Sequence, residues 1–266
     1  MAEARAGAPE GLADAIAAVA AEAGALALAK WRTDFRQWEK SPGNPVCEVD
    51  LDVNVLIQQR LSALLPEAGW LSEETIDNAD RLSQPKLWVV DPIDGTRDFV
   101  RGRPGWAVSI ALVEHGRPLI GVLDAPARDE VWRAELGRGA TRNGAPIHAG
   151  DRMVFAGARV PTDSLPRIDS DLVAIAKPNS IALRIAMVAA GEADLVATLR
   201  WGYEWDIAAA VLIASEAGAA VSDAFGAPLA FNTPSAQAFG VLATTPGIHA
   251  AAIERLADRA KAATTG

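Results

Sequence analysis

The stretch LWVVDPIDGTRDF, residues 87–99, constrains this chain more than any other. Four apolar residues, Leu87 to Val90, give a compact strand signal that stops on Asp91-Pro92. Proline fixes the backbone between Asp91 and Asp94, so two carboxylates are held together without further ordering on binding. Asp-Pro and Asp-Gly are also common turn dipeptides, and alone the stretch is a well-made turn. Ligands in α/β folds gather outside the carboxyl ends of strands, however. Acids elsewhere in the chain decide between the two.

The chain can bury a sizeable core: it has 266 residues, 50% hydrophobic and 22% charged. That length suits one large α/β domain or two packed halves. Acidic residues outnumber basic ones, 34 to 25, and the net charge is −9. Such a surface repels polyphosphate backbones, so no nucleic-acid polymer is expected as a partner. A small phosphorylated metabolite remains acceptable where metals or a local basic cluster reverse the sign. Cys47 is the one cysteine, which rules out an intramolecular disulfide and fits a reducing cytoplasm. Asp14 and Glu22 interrupt the Ala-rich N-terminal run, which therefore reads as a helix rather than a signal peptide. No stretch looks long and apolar enough to span a bilayer. A soluble, cytoplasmic protein without stable membrane insertion is expected.

Along the chain, a helix is expected from Leu12 to Trp31, burying Ile16, Val19, Leu26 and Trp31. Residues 40–45, KSPGNP, read as a loop. A second helix is expected from Val49 to Leu65, with Leu51, Val55, Ile57, Leu61, Leu64 and Leu65 as apolar candidates and Pro66 as its stop. GWLSEET is a short strand running into a loop. Residues 106–135 form a strand meander with turns near His115–Arg117 and Ala125–Asp129, and Asn143-Gly144 is a hairpin turn. After Asp151 the elements alternate: candidate strands MVFAGAR and DLVAIA, then a helix from Ser180 to Gly191. The strand ADLVATL, the helix WDIAAAVLIASEAG, the strands AAVSD and FGVLATT, and a C-terminal helix complete the chain. Residues 1–150 are thus expected to form an N-terminal α+β sub-domain, and 151–266 an α/β one packed against it.

Four acidic islands stand out: Asp50, the pair Glu73-Glu74, Asp91 with Asp94, and Asp206. Each alone suits a bland role, as a helix first turn, a loop pair, a turn or an N-cap. Converging carboxylates repel, which is tolerable when cations lie between them. Oxygen ligands without His or Cys select Mg2+ or a similar hard ion. Gly95 and Thr96 add free backbone N–H groups for an anion where a short helix could begin. Metal carboxylates beside an anion cradle describe a phosphoryl-transfer site.

With these residues in place, WVVDPIDGTRDF resembles the signature of the Mg2+-dependent, lithium-sensitive inositol monophosphatase superfamily. Ser72–Glu74 is similar to its upstream acidic motif, and residues 204–223, EWDIAAAVLIASEAGAAVSD, to its C-terminal motif. The order and spacing match, and the similarity covers nearly the whole chain. The resemblance implies an α+β, layered αβαβα sandwich and a homodimer. It implies that Glu73 and Asp91 bind one Mg2+ with the Ile93 carbonyl, and that Asp91, Asp94 and Asp206 hold a second. Some members carry a third ion near Glu73. Thr96 and Asp50 would position the attacking water with Glu73, Gly95 and Thr96 would receive the phosphate, and Glu74 would support the ligands from behind. One ion then activates water while the other stabilises the leaving oxygen.

Departures bear on the substrate. The family's Val-Thr-x-Ala-Asp reads Val46-Cys47-Glu48-Val49-Asp50 here, a thiol replacing a hydroxyl. Cys47 is expected to serve packing. Inositol-specific members place a Glu seven residues before the Trp-Asp aspartate; that position is Leu199, followed by Arg200. Leucine cannot accept hydrogen bonds from ring hydroxyls, whereas Arg200 and Lys177 could serve a second anionic group. Ser180 and Asp94 join them as substrate-binding candidates. The 40–47 segment resembles the loop of the 3'(2'),5'-bisphosphate nucleotidase branch, with Pro42 at that branch's aspartate. The resemblance therefore ranks 3'-phosphoadenosine 5'-phosphate above inositol monophosphate, with histidinol phosphate and sugar bisphosphates as alternatives. A non-catalytic ligand-binding relative is the rival of another class.

Overall fold

In the computed structural model, which describes residues 11–264, the Ala-rich N-terminal segment is a helix, α1 (Leu12–Lys30). By length and composition α1 could cross a membrane, which amends the expectation that no stretch could. Its Ile16, Val19, Ala20, Ala23 and Ala27 are instead buried in the protein core. Leu26 is half-buried, and Trp31, just past the helix, packs edge-on against Trp106 at 6.2 Å.

The expected loop at 40–45 is a hairpin, β1 (Gln37–Ser41) and β2 (Asn44–Cys47), turning at Gly43 with φ +77°. All of β1 is exposed, so no alternation of apolar residues announced it. Helix α2 (Glu48–Leu64) follows, burying Val49, Val53, Ile57 and Leu61. Leu51, Val55 and Leu64 face solvent, contrary to expectation, because Asp50 and Asn54 occupy part of the buried stripe.

A seven-stranded sheet comes next: β3 (Gly69–Ser72), β4 (Lys86–Asp94), then the five-residue helix α3 (Thr96–Val100), β5 (Ala107–Glu114), β6 (Arg117–Ala125), β7 (Glu130–Glu135), β8 (Ala140–Arg142) and β9 (Ala145–Pro146). Its strands lie in chain order; β3 and β4 are parallel, and every later pairing is antiparallel. His115-Gly116 and Asn143-Gly144 all have positive φ, the backbone that two-residue hairpin turns require.

Strand alternation then builds the layers. Trp88 and Val90 join Ile110, Ile120 and Val122 against α1 and α2, while Leu87 and Val89 face the other way. That second face is covered by α4 (Ile181–Ala189) and α5 (Ala208–Glu216). Between β9 and α4 the chain forms a parallel pair, β10 (Arg159–Pro161) and β11 (Val173–Ile175), with one 3-10 turn at Arg167–Asp169 between them. The strand expected at MVFAGAR is absent, since residues 153–158 are irregular with a bend and turn at 155–157, and β10 begins at Arg159.

The last layers use β12 (Leu195–Ala197), β13 (Trp201–Tyr203), β14 (Ala220–Ser222), β15 (Gln237–Phe239), β16 (Leu242–Thr244) and α6 (His249–Thr264). A small antiparallel sheet, ordered β12-β16-β14, lies beyond α4 and α5. Helix α6 closes it through Ala252 and Leu256 on Leu195 and Leu242. Helix, sheet, helix, sheet, helix is the expected five-layer order. Strands β13 and β15 form a separate hairpin-like pair at one edge, with no forecast in the sequence.

Candidate active site

Strand β4 ends where α4 and the turn before α5 meet, and the acids converge there. Asp91 is buried at the strand end, and its Oδ1 accepts the Ile93 N–H at 3.0 Å, which fixes the carboxylate over the proline turn. Asp206 arrives from a tight turn at Glu204–Asp206 just before α5. Glu73 arrives from the end of β3, its N–H bonded to the Val90 carbonyl at 3.2 Å. Carboxylate oxygens of Glu73, Asp91 and Asp206 all lie within 4.8 Å of one another. Burial first, and then the charges of Glu73, Asp94 and Asp206, push Asp91 well above the usual carboxylate range. Burial, then Asp94 and Glu73, do the same to Asp206. Hard oxygen donors crowded against their own repulsion fit a divalent cation such as Mg2+.

Asp94 stands beside this trio with both oxygens engaged. Oδ2 accepts the Ser180 hydroxyl at 2.5 Å and the Ala182 N–H at 2.8 Å, and Oδ1 the Ile181 N–H at 3.4 Å. These donors open α4, whose dipole favours the negative charge. Burial still raises the Asp94 carboxyl to about 6, because it outweighs those bonds. Ser180 is fully buried and caps α4 by accepting the Leu183 N–H at 2.9 Å. It therefore positions Asp94 and does not line the cleft, where the sequence had suggested substrate contact.

Thr96 Oγ1 lies 3.3 Å from Asp50 Oδ1 and 3.1 Å from the Ile93 carbonyl, so its proton can serve either. Asp50 is held in turn by the Cys47 N–H and Sγ, each 2.9 Å from Oδ2. Cys47 is thus the N-cap of α2 in a capping box with Asp50, a specific job beyond packing. Burial raises its thiol far above the ordinary range and so keeps it neutral; burial likewise raises Asp50 to about 6. Gly95 has φ +98°, and a Cβ there would lie 2.6 Å from the Gly105 carbonyl, so only glycine fits between β4 and α3.

Glu74 is not one of the three converging acids and accepts Lys40 Nζ at 2.5 Å; Lys40 also reaches Glu73 at 3.2 Å. Burial raises Glu74 to about 7. The β1–β2 hairpin thus delivers an ammonium to the acid cluster at Glu73, and Arg97 ties it down at the Gly43 carbonyl.

A cleft of about 390 Å³ opens over these residues. Glu73, Asp91, Ile93, Asp94, Gly95, Thr96 and Asp206 line it, with Arg184, Arg200, Tyr203 and Trp205 on the wall leading outward. Leu199 is not among them: its side chain packs with Leu242 and Phe239 in the small hydrophobic clusters. Extended chain alternates its side chains, so Thr198 and Arg200 face the cleft and Leu199 turns inward. Lys177 is drawn to Asp163 at 2.7 Å and lies outside the cleft. Arg184 was missed in the sequence, although a lone cation in the apolar helix SIALRIAMVAAG was a signal. Its guanidinium donates to the carbonyls of Pro178 and Asn179 at 2.9 and 2.7 Å, and burial pushes it below its ordinary range. Among the described residues no carboxylate pairs with Arg200.

The sequence of residues 9–263 matches the Inositol monophosphatase family. The chain belongs to the inositol monophosphatase family. It is therefore a phosphoric monoester hydrolase with that family's layered α+β fold. A fructose-1,6-bisphosphatase/inositol-1-monophosphatase of Thermotoga maritima is 34% identical over 213 residues, 76% of this chain and 81% of that protein. A 3'(2'),5'-bisphosphate nucleotidase CysQ of Aggregatibacter actinomycetemcomitans is 29% identical over 211 residues, 73% of this chain and 77% of that protein. Among solved structures, the IMPase TM1415 of Thermotoga maritima superimposes with a TM-score of 0.81 at 29% identity, covering 94% of this chain and 98% of that one.

Proposed function

We propose that this hydrolase uses Mg2+ to cleave one phosphate from a small metabolite that carries a second anionic group, with 3'-phosphoadenosine 5'-phosphate first. The observation that carries this reading is Arg200, which faces the cleft beside the fixed Arg184 and makes no ion pair with a carboxylate among the described residues. A lone phosphate needs only the acid cluster and its ions. A planar guanidinium in the same cleft suits a second phosphate, which it can grip through two parallel hydrogen bonds. The fructose bisphosphatase and the bisphosphate nucleotidase among the relatives are both named for such substrates.

Glu73, Asp91 and the Ile93 carbonyl would hold one ion, and Asp91, Asp94 and Asp206 a second. Bound Mg2+ would activate water and neutralise the charge that develops on the phosphoryl oxygens. The protein's own part is orientation. Cys47 aims Asp50, Asp50 accepts a hydrogen bond from the Thr96 hydroxyl, and the Thr96 oxygen can then accept one from the attacking water. Gly95 lets the backbone approach the phosphate where a side chain would block it.

Asp91→Asn tests the reading. The variant should lose Mg2+-dependent phosphate release by more than about a hundredfold, beyond what an outer support residue costs. Its circular dichroism and cooperative melt should match the wild type. Substantial turnover in the folded variant would sink the role given to Asp91. A panel of 3'-phosphoadenosine 5'-phosphate, fructose 1,6-bisphosphate, inositol 1-phosphate and histidinol phosphate ranks the substrates. Mg2+-stimulated release from none of them would favour a binding-only relative.

A further inference from the structure

We propose that Tyr203, stacked on Trp205, is the specificity residue that takes a planar ring of the substrate, so the enzyme prefers a nucleoside bisphosphate to a sugar bisphosphate. The inference rests on the phosphomonoesterase reading above and names the substrate class within it.

The two rings lie parallel, 4.3 Å between centroids and 7° between planes. Both line the cleft that contains Asp91 and Asp206. Trp205 is half-buried and packs on the central core, whereas Tyr203 is 43% exposed. The stack therefore runs outward from the core to Trp205 and then Tyr203, leaving the outer ring open to a ligand. Aromatic rings favour offset-stacked neighbours, and a purine offers such a face where a furanose does not.

The platform is also rigid. Tyr203 ends β13, which pairs with β15, and the next residue, Glu204, is fully buried. Glu204 accepts the Asn232 N–H at 2.7 Å, the Thr233 N–H at 2.8 Å and the Thr233 hydroxyl at 2.6 Å. Two residues later comes Asp206. One clamped turn thus fixes the ring relative to the metal ligands, so stacking needs little ordering when substrate binds. Arg200 precedes this strand in the same cleft and serves a second phosphate whatever that phosphate is attached to. It cannot discriminate base from sugar; the ring can.

Steady-state hydrolysis and titration calorimetry test this with the full chain, Mg2+ for turnover and Ca2+ for binding. The substrates are 3'-phosphoadenosine 5'-phosphate and fructose 1,6-bisphosphate; the proteins are wild type, Tyr203→Phe and Tyr203→Ala. Tyr203→Ala should raise KM for the adenosine compound at least about tenfold more than for the sugar, as loss of one base–aromatic stack implies. The change should fall on KM rather than kcat, because stacking is equal in ground and transition states. Tyr203→Phe should restore the preference. Equal effects on both substrates, or none on the nucleotide, would overturn the assignment. A wild type that cleaves the sugar but neither binds nor cleaves the nucleotide overturns it too, and leaves the phosphomonoesterase reading standing. A wild type that binds the nucleotide through Tyr203 but cleaves neither compound overturns the phosphomonoesterase reading and keeps the ring assignment. No binding and no cleavage of either overturns both.

Discussion

Asp124 is an acid that the active site does not use. It is buried on β6 directly over Gly24 of α1, where any added Cβ would collide with its Oδ2. No hydrogen bond or ion pair reaches its carboxylate among the described residues, and burial raises it from 3.8 to about 6. The folded state therefore holds its proton to a higher pH than the unfolded chain does. Stability falls as pH rises from about 4 through 6, and the full penalty stands above that. Asp124→Asn removes the charge and keeps the shape. It should be more stable than wild type at pH 8 by on the order of 3 kcal/mol, with the gain vanishing near pH 4. Urea midpoints at both pH values, at fixed Mg2+, measure this; an equal gain at both would assign the effect to packing. At this scale the sequence spoke clearly wherever chemistry is tied to local pattern. Glu73, Asp91 and Asp206 stand in conspicuous motifs and converge in space. Leu199 was placed by counting back from Asp206, and counting does not see which way an extended segment faces; Lys177 and Ser180 were candidates whose ties to Asp163 and Asp94 the sequence does not show. Leu199 is one residue from Arg200, which faces the cleft.

Elements were legible where a buried stripe is almost wholly apolar, as in α1 and the meander of β5 to β7, where Ser109 and Asp124 are the exceptions. They were less so where the site intrudes. Helix α2 gives part of its buried face to Asp50 and Asn54, so a reading by hydrophobicity chose Leu51 and Val55 on the wrong side. Strands β1 and β13 are short, with side chains that face solvent or the cleft, and carry no alternation that marks a core. The packing of α5 on the sheet depends on a feature that is silent in sequence. Gly121 lies where β6 meets α5, and a Cβ there would stand 2.6 Å from the Ala209 carbonyl and 3.0 Å from its Cα. Backbone on both sides cannot give way as a side chain could, so the helix must move. Gly121→Ala should cost about 1–3 kcal/mol from this overpacking. For a chain of this size that lowers Tm by roughly 3–10 °C. Because Asp206 leads into α5, Mg2+ should also bind more weakly, which calorimetry would detect. A variant with lowered Tm and unchanged Mg2+ affinity would separate the packing from the metal site.

At the scale of the whole molecule, α4 and α5 are shared between the large sheet and the small one, so neither sheet has a core of its own on that side. This layering was not readable from periodicity, because it depends on which distant segments cover each face. A second tie reinforces it. Arg81, on the turn between β3 and β4, is 3% exposed and grips Asp77 with two bonds of 2.6 and 2.8 Å. The same guanidinium donates to Asn232 Oδ1 at 2.7 Å and to the Thr233 carbonyl at 3.0 Å. Asn232 and Thr233 are also the residues that clamp Glu204, two positions before Asp206. One hydrogen-bonded network thus runs from the N-terminal sheet edge, through a C-terminal loop, to the turn that carries Asp206. Arg81→Met removes the donor and leaves the Thr233 carbonyl without it, while the partly exposed Asp77 can turn to water. A loss of about 2–3 kcal/mol follows, less than the 3–5 typical of breaking a fully buried pair. The melt should remain one cooperative transition at a Tm lower by roughly 5–10 °C. The Mg2+ concentration for half-maximal activity should rise several-fold as the Glu204 turn loosens. A two-step melt in which the first half keeps its wild-type midpoint would instead mean that the halves fold independently, and that the shared helices do not couple them.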